Sequence, residues 1–480
     1  MKDNSTIDAK LTAFRAAFGG AVLAPGDDEY DEARAVWNGM IDRRPAAVVR
    51  PTGTADVVAA VEFARDSGFE LAVRGGGHNV SGSAVVDGGL VIDLSGMSDV
   101  SVDPAERTVR AEGGATLGDV DRATQPFGLA TALGVVSETG IAGLTLNGGY
   151  GHLSRQYGLA LDNLLSVEIV TADGRVRTAS ADENADLFWA IRGGGGNFGV
   201  VTAFEYALHE VGPEVYAFFA WFDGADAEAV FRRFREWAAT APREAGVLPF
   251  VGHVPELDDF PEESRGDPAV ALLGSYRGDV ADAEAVFRPL RESARPVADF
   301  SGPMPYLDLQ SLLDEEYPDG MRYYWKSIFL SAFTDEVAEI VRRYNESAPS
   351  KLSTIDLWHL GGAVADVPRD ATAFWHRGEP FMLNFEANWE DPADDDANVA
   401  WVREGFAEVE ALPVASGRYG NFPGFAEDPA RLLFGDNYDR LVDVKTTYDP
   451  ANLFRNNQNV PPRASGGADA AAGGHEEGPA

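Results

Sequence analysis

The chain contains no cysteine. Disulfides, thiolate metal sites and thiol nucleophiles are therefore excluded. Lysine is almost absent too: Lys2, Lys10, Lys326, Lys351 and Lys445 are the full set, so arginine carries nearly all the positive charge. No apolar stretch is long enough to span a bilayer. The opening Met1-Lys2-Asp3-Asn4 lacks the basic segment and apolar run of a signal peptide, so a soluble protein of the cytoplasm is expected.

What the chain has in excess is acid. Against 39 Lys and Arg stand 77 Asp and Glu, a net charge of −38. Such a surface repels nucleic acid and anionic membranes. The acids are spread along the chain rather than gathered in a block. That distribution fits a halophilic solvation surface, where salt screens self-repulsion, better than an acidic partner-binding surface. With 480 residues, 45% of them hydrophobic, the chain is long enough for more than one domain and a large core.

Residues 7–19 read as an amphipathic helix. From about Pro45 the pattern becomes a βαβ unit. Ala46–Arg50 is a strand, Thr54–Ser67 a helix capped by Thr52 or Thr54 and stopped by Gly68, and Glu70–Val73 the next strand. Val85–Val86 and Leu90–Leu94 flank Asp87-Gly88-Gly89 as strand, turn, strand. Val167–Thr171 and Arg175–Thr178 flank the hairpin signal Asp173-Gly174. Further on come helix Ala225–Thr240, strand Ala269–Tyr276, helix Ala281–Glu292 and strand Phe381–Trp389. Residues 464–480, rich in Ala, Gly and Glu, read as disordered.

Three glycine-dense stretches lie in the first half: Arg74–Gly82, Gly134–Gly158 and Gly193–Gly199. Glycine lets backbone N–H groups approach a diphosphate without side-chain intrusion. One such loop is an ordinary surface turn; three favour an extended anionic ligand. Gly194, Gly196 and Gly199 fit G-x-G-x-x-G, but the nicotinamide-dinucleotide fingerprint needs a strand before it and a helix after it. Here Asn184–Ile191 reads as helix and Val200–Tyr206 as strand, so that reading is rejected. No pair of the seven histidines has the helical spacing of a zinc protease, and no metal site is expected. So acidic a chain offers too many carboxylates for sequence to single out a hydrolytic pair.

The run Arg74–Gly82, followed by Asp87-Gly88-Gly89-Leu90-Val91-Ile92-Asp93-Leu94, resembles the berberine bridge enzyme-like FAD-linked oxidases of the vanillyl-alcohol oxidase superfamily. Gly148-Gly149-Tyr150-Gly151, Arg155–Asn163, Asp186–Gly199, Gly435-Asp436-Asn437-Tyr438 and Tyr448–Phe454 continue the resemblance in the family's order, over about residues 40–463. The fold it implies is α+β: an FAD domain of two α/β subdomains at 42–212, completed by 426–463. Between them, at 213–425, would lie a substrate domain with an antiparallel sheet covered by helices, and 1–41 reads as an N-terminal helical segment.

The resemblance also implies a set of roles. FAD would lie on Arg74, Gly75, Gly76, Gly77, His78, Asn79, Val80, Ser81 and Gly82. It would extend along Thr139, Gly140, Gly143, Gly148, Gly149, Gly151, His152, Gly199, Val200, Val201, Asn452 and Asn457. His78 matches the histidine bonded to the flavin 8α carbon. Val136 stands where many relatives attach a cysteine, so this chain can carry one link at most. Tyr419 matches the catalytic base, although Gly424 replaces the acidic residue that follows it in the family. Asn384 falls where relatives vary among Glu, Asp, Gln and Tyr, and it would orient substrate. Tyr157 would donate near the flavin pyrimidine.

The implied activity is hydride transfer from an alcohol, sugar or amine carbon to flavin N5, with O2 as acceptor. A dehydrogenase using another acceptor, or a flavin carrier without turnover, stays open, as does monomer against homo-oligomer. Tyr306, Tyr317, Tyr323, Tyr324, Trp325 and Trp358 are candidates to line a pocket or fill a core. The salt reading predicts a melting temperature that rises steadily between about 0.1 M and about 2 M NaCl. A flat or falling curve would contradict it.

Overall fold

The computed structural model describes residues 4–464, so the expected disorder beyond them lies outside the described residues. The βαβ unit forms as a four-stranded sheet in the order Ala21–Leu23, Ala47–Arg50, Leu90–Asp93, Leu71–Arg74. The last three strands are parallel, and Ala21–Leu23 adds antiparallel at one edge. Parallel neighbours need a crossover, which the helix Thr54–Ser67 supplies. Gly68 ends that helix in the left-handed conformation, as expected. Neither threonine caps it: Gly53 is the N-cap, and Thr52 spends its amide and hydroxyl on Asp56.

The expected strand at Val85–Val86 does not form. The Gly82 and Val85 carbonyls are taken by the Arg43 guanidinium, and Asn456 also donates to Val85. With its acceptors occupied by side chains, the segment has no ladder to join. The segment before residue 42 also does more than form a helix, since it supplies the edge strand and packs Trp37 and Asn38 into the middle of the molecule.

A second, antiparallel sheet follows, in the order Val100–Asp103, Thr108–Glu112, Val200–Ala207, Leu164–Val170, Val176–Ser180. Its last two strands form the hairpin expected at Asp173-Gly174. Glu168 ties the two subdomains by accepting from Thr54 of the crossover helix and from Thr202.

The middle of the chain builds a nine-stranded antiparallel sheet whose central strands include Ala245–His253, Thr354–His359, Phe381–Trp389 and Arg322–Leu330. Alternation divides its side chains. Leu383, Phe385 and Ala387 join a core with residues of helices Ala227–Ala238, Val280–Arg291, Asp335–Glu346 and Asp395–Glu410. On the same strand Met382, Asn384, Glu386 and Asn388 point the other way, and all four are buried. A sheet face that is both buried and polar needs a polar filling.

The chain then returns. Helices Ala430–Phe434 and Tyr438–Tyr448 contribute Leu433, Phe434, Leu441 and Val444 to the core of the second subdomain. Lys445, fully buried, donates to the Asn197 carbonyl, the Phe454 carbonyl and Asp449 at 2.7–2.8 Å. Asp449 in turn accepts from the Leu453 and Phe454 amides. This buried pair fastens the third glycine stretch to the C-terminal segment. Lys445→Met strands the Asp449 charge, and breaking a buried pair costs ~3–5 kcal/mol. Chemical denaturation of the flavin-loaded protein should show a loss of that order; a loss below ~1 kcal/mol would show that the pair is not the fastening.

Candidate active site

A long cleft runs between the glycine loops of the first half and the polar face of the large sheet. At its floor two backbones meet. A Cβ on Gly76 would sit 2.4 Å from the Gly140 amide nitrogen, and one on Gly140 would sit 2.3 Å from that of Gly76. Only glycine permits this approach. The wall there offers main chain from Gly75–Gly77 and Thr139–Gly140, with Ala142 and Gly143 beyond.

His78 stands on the same wall. Its ring stacks on Trp37 at 4.1 Å, and Trp37 stacks on Tyr323 at 3.7 Å. Burial pushes the imidazole pKa down to about 4, so the ring is neutral. His78 Nε2 is buried without a hydrogen-bond partner. Asn38 holds this corner by donating to the Val80 and Tyr323 carbonyls and accepting from the Tyr323 amide.

Tyr419 closes the far end and is buried. Its hydroxyl oxygen accepts from the Gly149 amide at 3.0 Å, the Tyr150 amide at 3.4 Å and Asn421 Nδ2 at 2.9 Å. Burial raises its pKa, and the three donors work against that rise by solvating the phenolate. Aromatic rings from Tyr317, Trp325, Trp358 and Phe422 make up much of the side facing the glycine loops, together with the carboxyls of Asp356 and Glu386.

The expected site residues divide into two groups. Gly75, Gly76, Gly77, His78, Asn79, Thr139, Gly140, Gly143, Gly199, Val201, Asn457 and Tyr419 all line the cleft. The others stand behind it. Arg74 points away, donating to the Ala33 and Ala35 carbonyls. Val80 is buried beside Trp37, and Ser81 bonds Asn79. Gly82 abuts Ile41. Gly148 and Gly149 seat Tyr419, while Gly151 packs on the Leu133 carbonyl. His152 is half-buried with its Nε2 out of solvent, and desolvation pushes its pKa down to about 3. Val200 begins its strand inside the core of the first subdomain, and Asn452 sits in the turn after Asp449. Tyr157 stacks on His209 at 3.9 Å, off the cleft. Asn384 lies under the lining and donates to Glu386.

Sequence patterns did not single out Asp356, Glu386, Trp37, Asn38 or Asn421. A signal for the first two was present. Asp356 is flanked by apolar Ile355 and Leu357, and Glu386 is two residues from Asn384 on one strand face.

A backbone floor free of side chains beside a neutral, unpartnered imidazole fits a flavin dinucleotide. Known proteins point the same way. Residues 45–180 match an FAD binding domain, and residues 418–461 match the berberine and berberine-like model. An FAD-linked oxidoreductase of Dictyostelium discoideum is 32% identical over 92% of this chain and 95% of its own. The chain belongs to the berberine bridge enzyme-like family of FAD-linked oxidoreductases. Within it, (R)-6-hydroxynicotine oxidase of Paenarthrobacter nicotinovorans is 33% identical, covering 93% of this chain and 97% of its own. Glucooligosaccharide oxidase of Acremonium strictum, whose FAD is both 6-S-cysteinyl and 8α-N1-histidyl, superposes with a TM-score of 0.84 at 25% identity, over 95% of this chain and 100% of that one. The α+β architecture and the FAD-binding enzyme expected from sequence are those of this family.

Proposed function

We propose that this oxidoreductase is an oxidase of a small molecule whose reacting carbon bears an O–H or N–H group, with Tyr419 as base and His78 as the single covalent anchor. Held against Gly75–Gly77, Thr139–Gly140 and His78, FAD would supply an acceptor for hydride from the substrate carbon, with O2 as the final electron acceptor. The protein's residues do the rest. The observation that carries the reading is the seat of the Tyr419 oxygen, with three hydrogen-bond donors converging on a phenol at the wall of the cleft. Such a seat stabilises the negative charge that appears when the phenol holds no proton. Tyr419 thereby removes the proton from the substrate O–H or N–H while the neighbouring C–H faces the floor. The aromatic walls exclude water and orient the substrate ring or chain.

His78 supports the anchoring role. A neutral ring nitrogen without a hydrogen bond is the form that bonds to carbon, and Trp37 fixes the plane of the ring. Val136 lies on the lining where a second attachment would need a thiol, so the link is single.

Two measurements test these roles. Denatured wild-type protein should keep yellow, fluorescent flavin on the chain, and His78→Ala should release it; wild-type protein that gives up all its flavin refutes the link. Tyr419→Phe should keep its flavin content yet lose about a hundredfold or more in kcat. Because burial raises the Tyr419 pKa, the deprotonated base becomes more abundant as pH rises. Wild-type kcat/KM should therefore climb through the neutral range, and the Phe variant should lose that slope. A Phe variant with unchanged rate and slope would remove Tyr419 from the mechanism.

A further inference from the structure

The most unusual group on the cleft wall has no part in the chemistry above. Asp356 and Glu386 come from adjacent strands of the large sheet, where Asp356 pairs with Asn384 and Glu386 with Thr354. Both carboxyls are on the cleft lining and both side chains are more than nine-tenths buried. The two are close enough to shift each other's ionisation, and the Thr354 hydroxyl lies beside Asp356. Glu386 is held by neutral donors, the Tyr317 hydroxyl at 2.9 Å and the Asn384 amide. Asp356 Oδ1 is buried and accepts no hydrogen bond.

Among the described residues no cation offsets the pair. Lys326 lies on an adjacent strand but turns to the opposite face, toward Glu427 and Asp428. The only guanidinium on the lining, again among the described residues, is Arg455, whose nearest carboxylate is Glu70 at 3.9 Å. The neighbours facing the carboxyls are Tyr317, Trp325, Trp358 and Asn384, none of them charged.

Burial raises both carboxyl pKa values, and the charge of Asp356 raises that of Glu386 further. One proton shared by two carboxyls leaves one negative charge in a buried, aromatic-lined place. A buried charge is unfavourable unless it is paired. An uncharged polyol supplies hydroxyl donors but no countercharge. An ammonium group supplies both, and aromatic faces attract the same cation.

We infer that the cleft selects a cationic amine, its ammonium set against Asp356 and its carbon skeleton held among Tyr317, Trp325, Trp358 and Phe422. The inference rests on the oxidase reading above and specifies its substrate class.

The test uses flavin-loaded protein and three probes: N-methylbenzylamine, its uncharged analogue benzyl methyl ether, and cellobiose. Each is titrated without oxygen while the visible flavin spectrum is followed. The amine should give a saturable change, at least about tenfold tighter than the ether, with cellobiose weakest. Asp356→Asn should abolish the preference for amine over ether while keeping its flavin. Equal binding of amine and ether, tighter binding of cellobiose, or a preference untouched by Asp356→Asn overturns the amine inference and leaves the oxidase reading standing. Protein that purifies without any flavin overturns both. The wild-type comparison needs no variant, so it decides the matter even where Asp356→Asn folds poorly.

Discussion

The approach of Gly76 to Gly140 is the constraint on which the rest of the molecule depends. Two loops from different subdomains meet main chain to main chain, with no room for a Cβ on either. That contact sets the cleft floor and fixes where His78 projects. It also explains why the surroundings are so heavily braced, because a seam of bare backbone contributes little cohesion of its own. Asn38 ties the loop to the large sheet, Trp37 is clamped between His78 and Tyr323, and Lys445 locks the third glycine stretch to the returning C-terminal segment. Strongly bonded residues stand behind the cleft so that weakly bonded ones can face it.

The same division explains what could be read in advance. The glycine runs, the crossover helix and the hairpin at Asp173-Gly174 are local patterns, and they formed close to where they were expected. His78 and Tyr419 became legible through ordered motifs and both line the cleft. Val85–Val86 failed because its carbonyls go to Arg43 and Asn456, the latter 371 residues away in sequence, and no local pattern announces such partners. Tyr157, Asn384 and His152 are polar residues near the right motifs, yet each turns behind the lining. Only the packing of two domains decides which side of a loop faces the cleft. Asp356 and Glu386 were hidden for a different reason: among 77 acids, a functional pair has no compositional signature.

Within the glycine stretches some residues line the cleft and others stand behind it. In Gly148–Gly151 the amides of Gly149 and Tyr150 point at the Tyr419 hydroxyl. That stretch seats the candidate base and ties the C-terminal part of the chain to the first half. Tyr419 arrives from the stretch that matches the berberine-like model and finds two of its three donors, the Gly149 and Tyr150 amides, in the stretch that matches the FAD binding domain. The seat of the phenol is therefore built from two stretches about 270 residues apart in the chain.

Acid on the surface and acid in the cleft obey different physics. Surface carboxylates are screened over about 8 Å at physiological ionic strength and over about 3 Å at 1 M salt, so their long-range field collapses in brine. A chain with a net charge of −38 would otherwise concentrate every cation near it, with little discrimination. The Asp356–Glu386 pair is screened much less, because both carboxyls are buried. An attraction of the pair for a cation would therefore outlast salt that screens the surface. Arginine reinforces the separation: two of only five lysines, Lys326 and Lys445, are buried in ion pairs, and neither reaches the cleft lining. Among the described residues nothing positive stands against the pair to neutralise it, which keeps its charge available to a substrate.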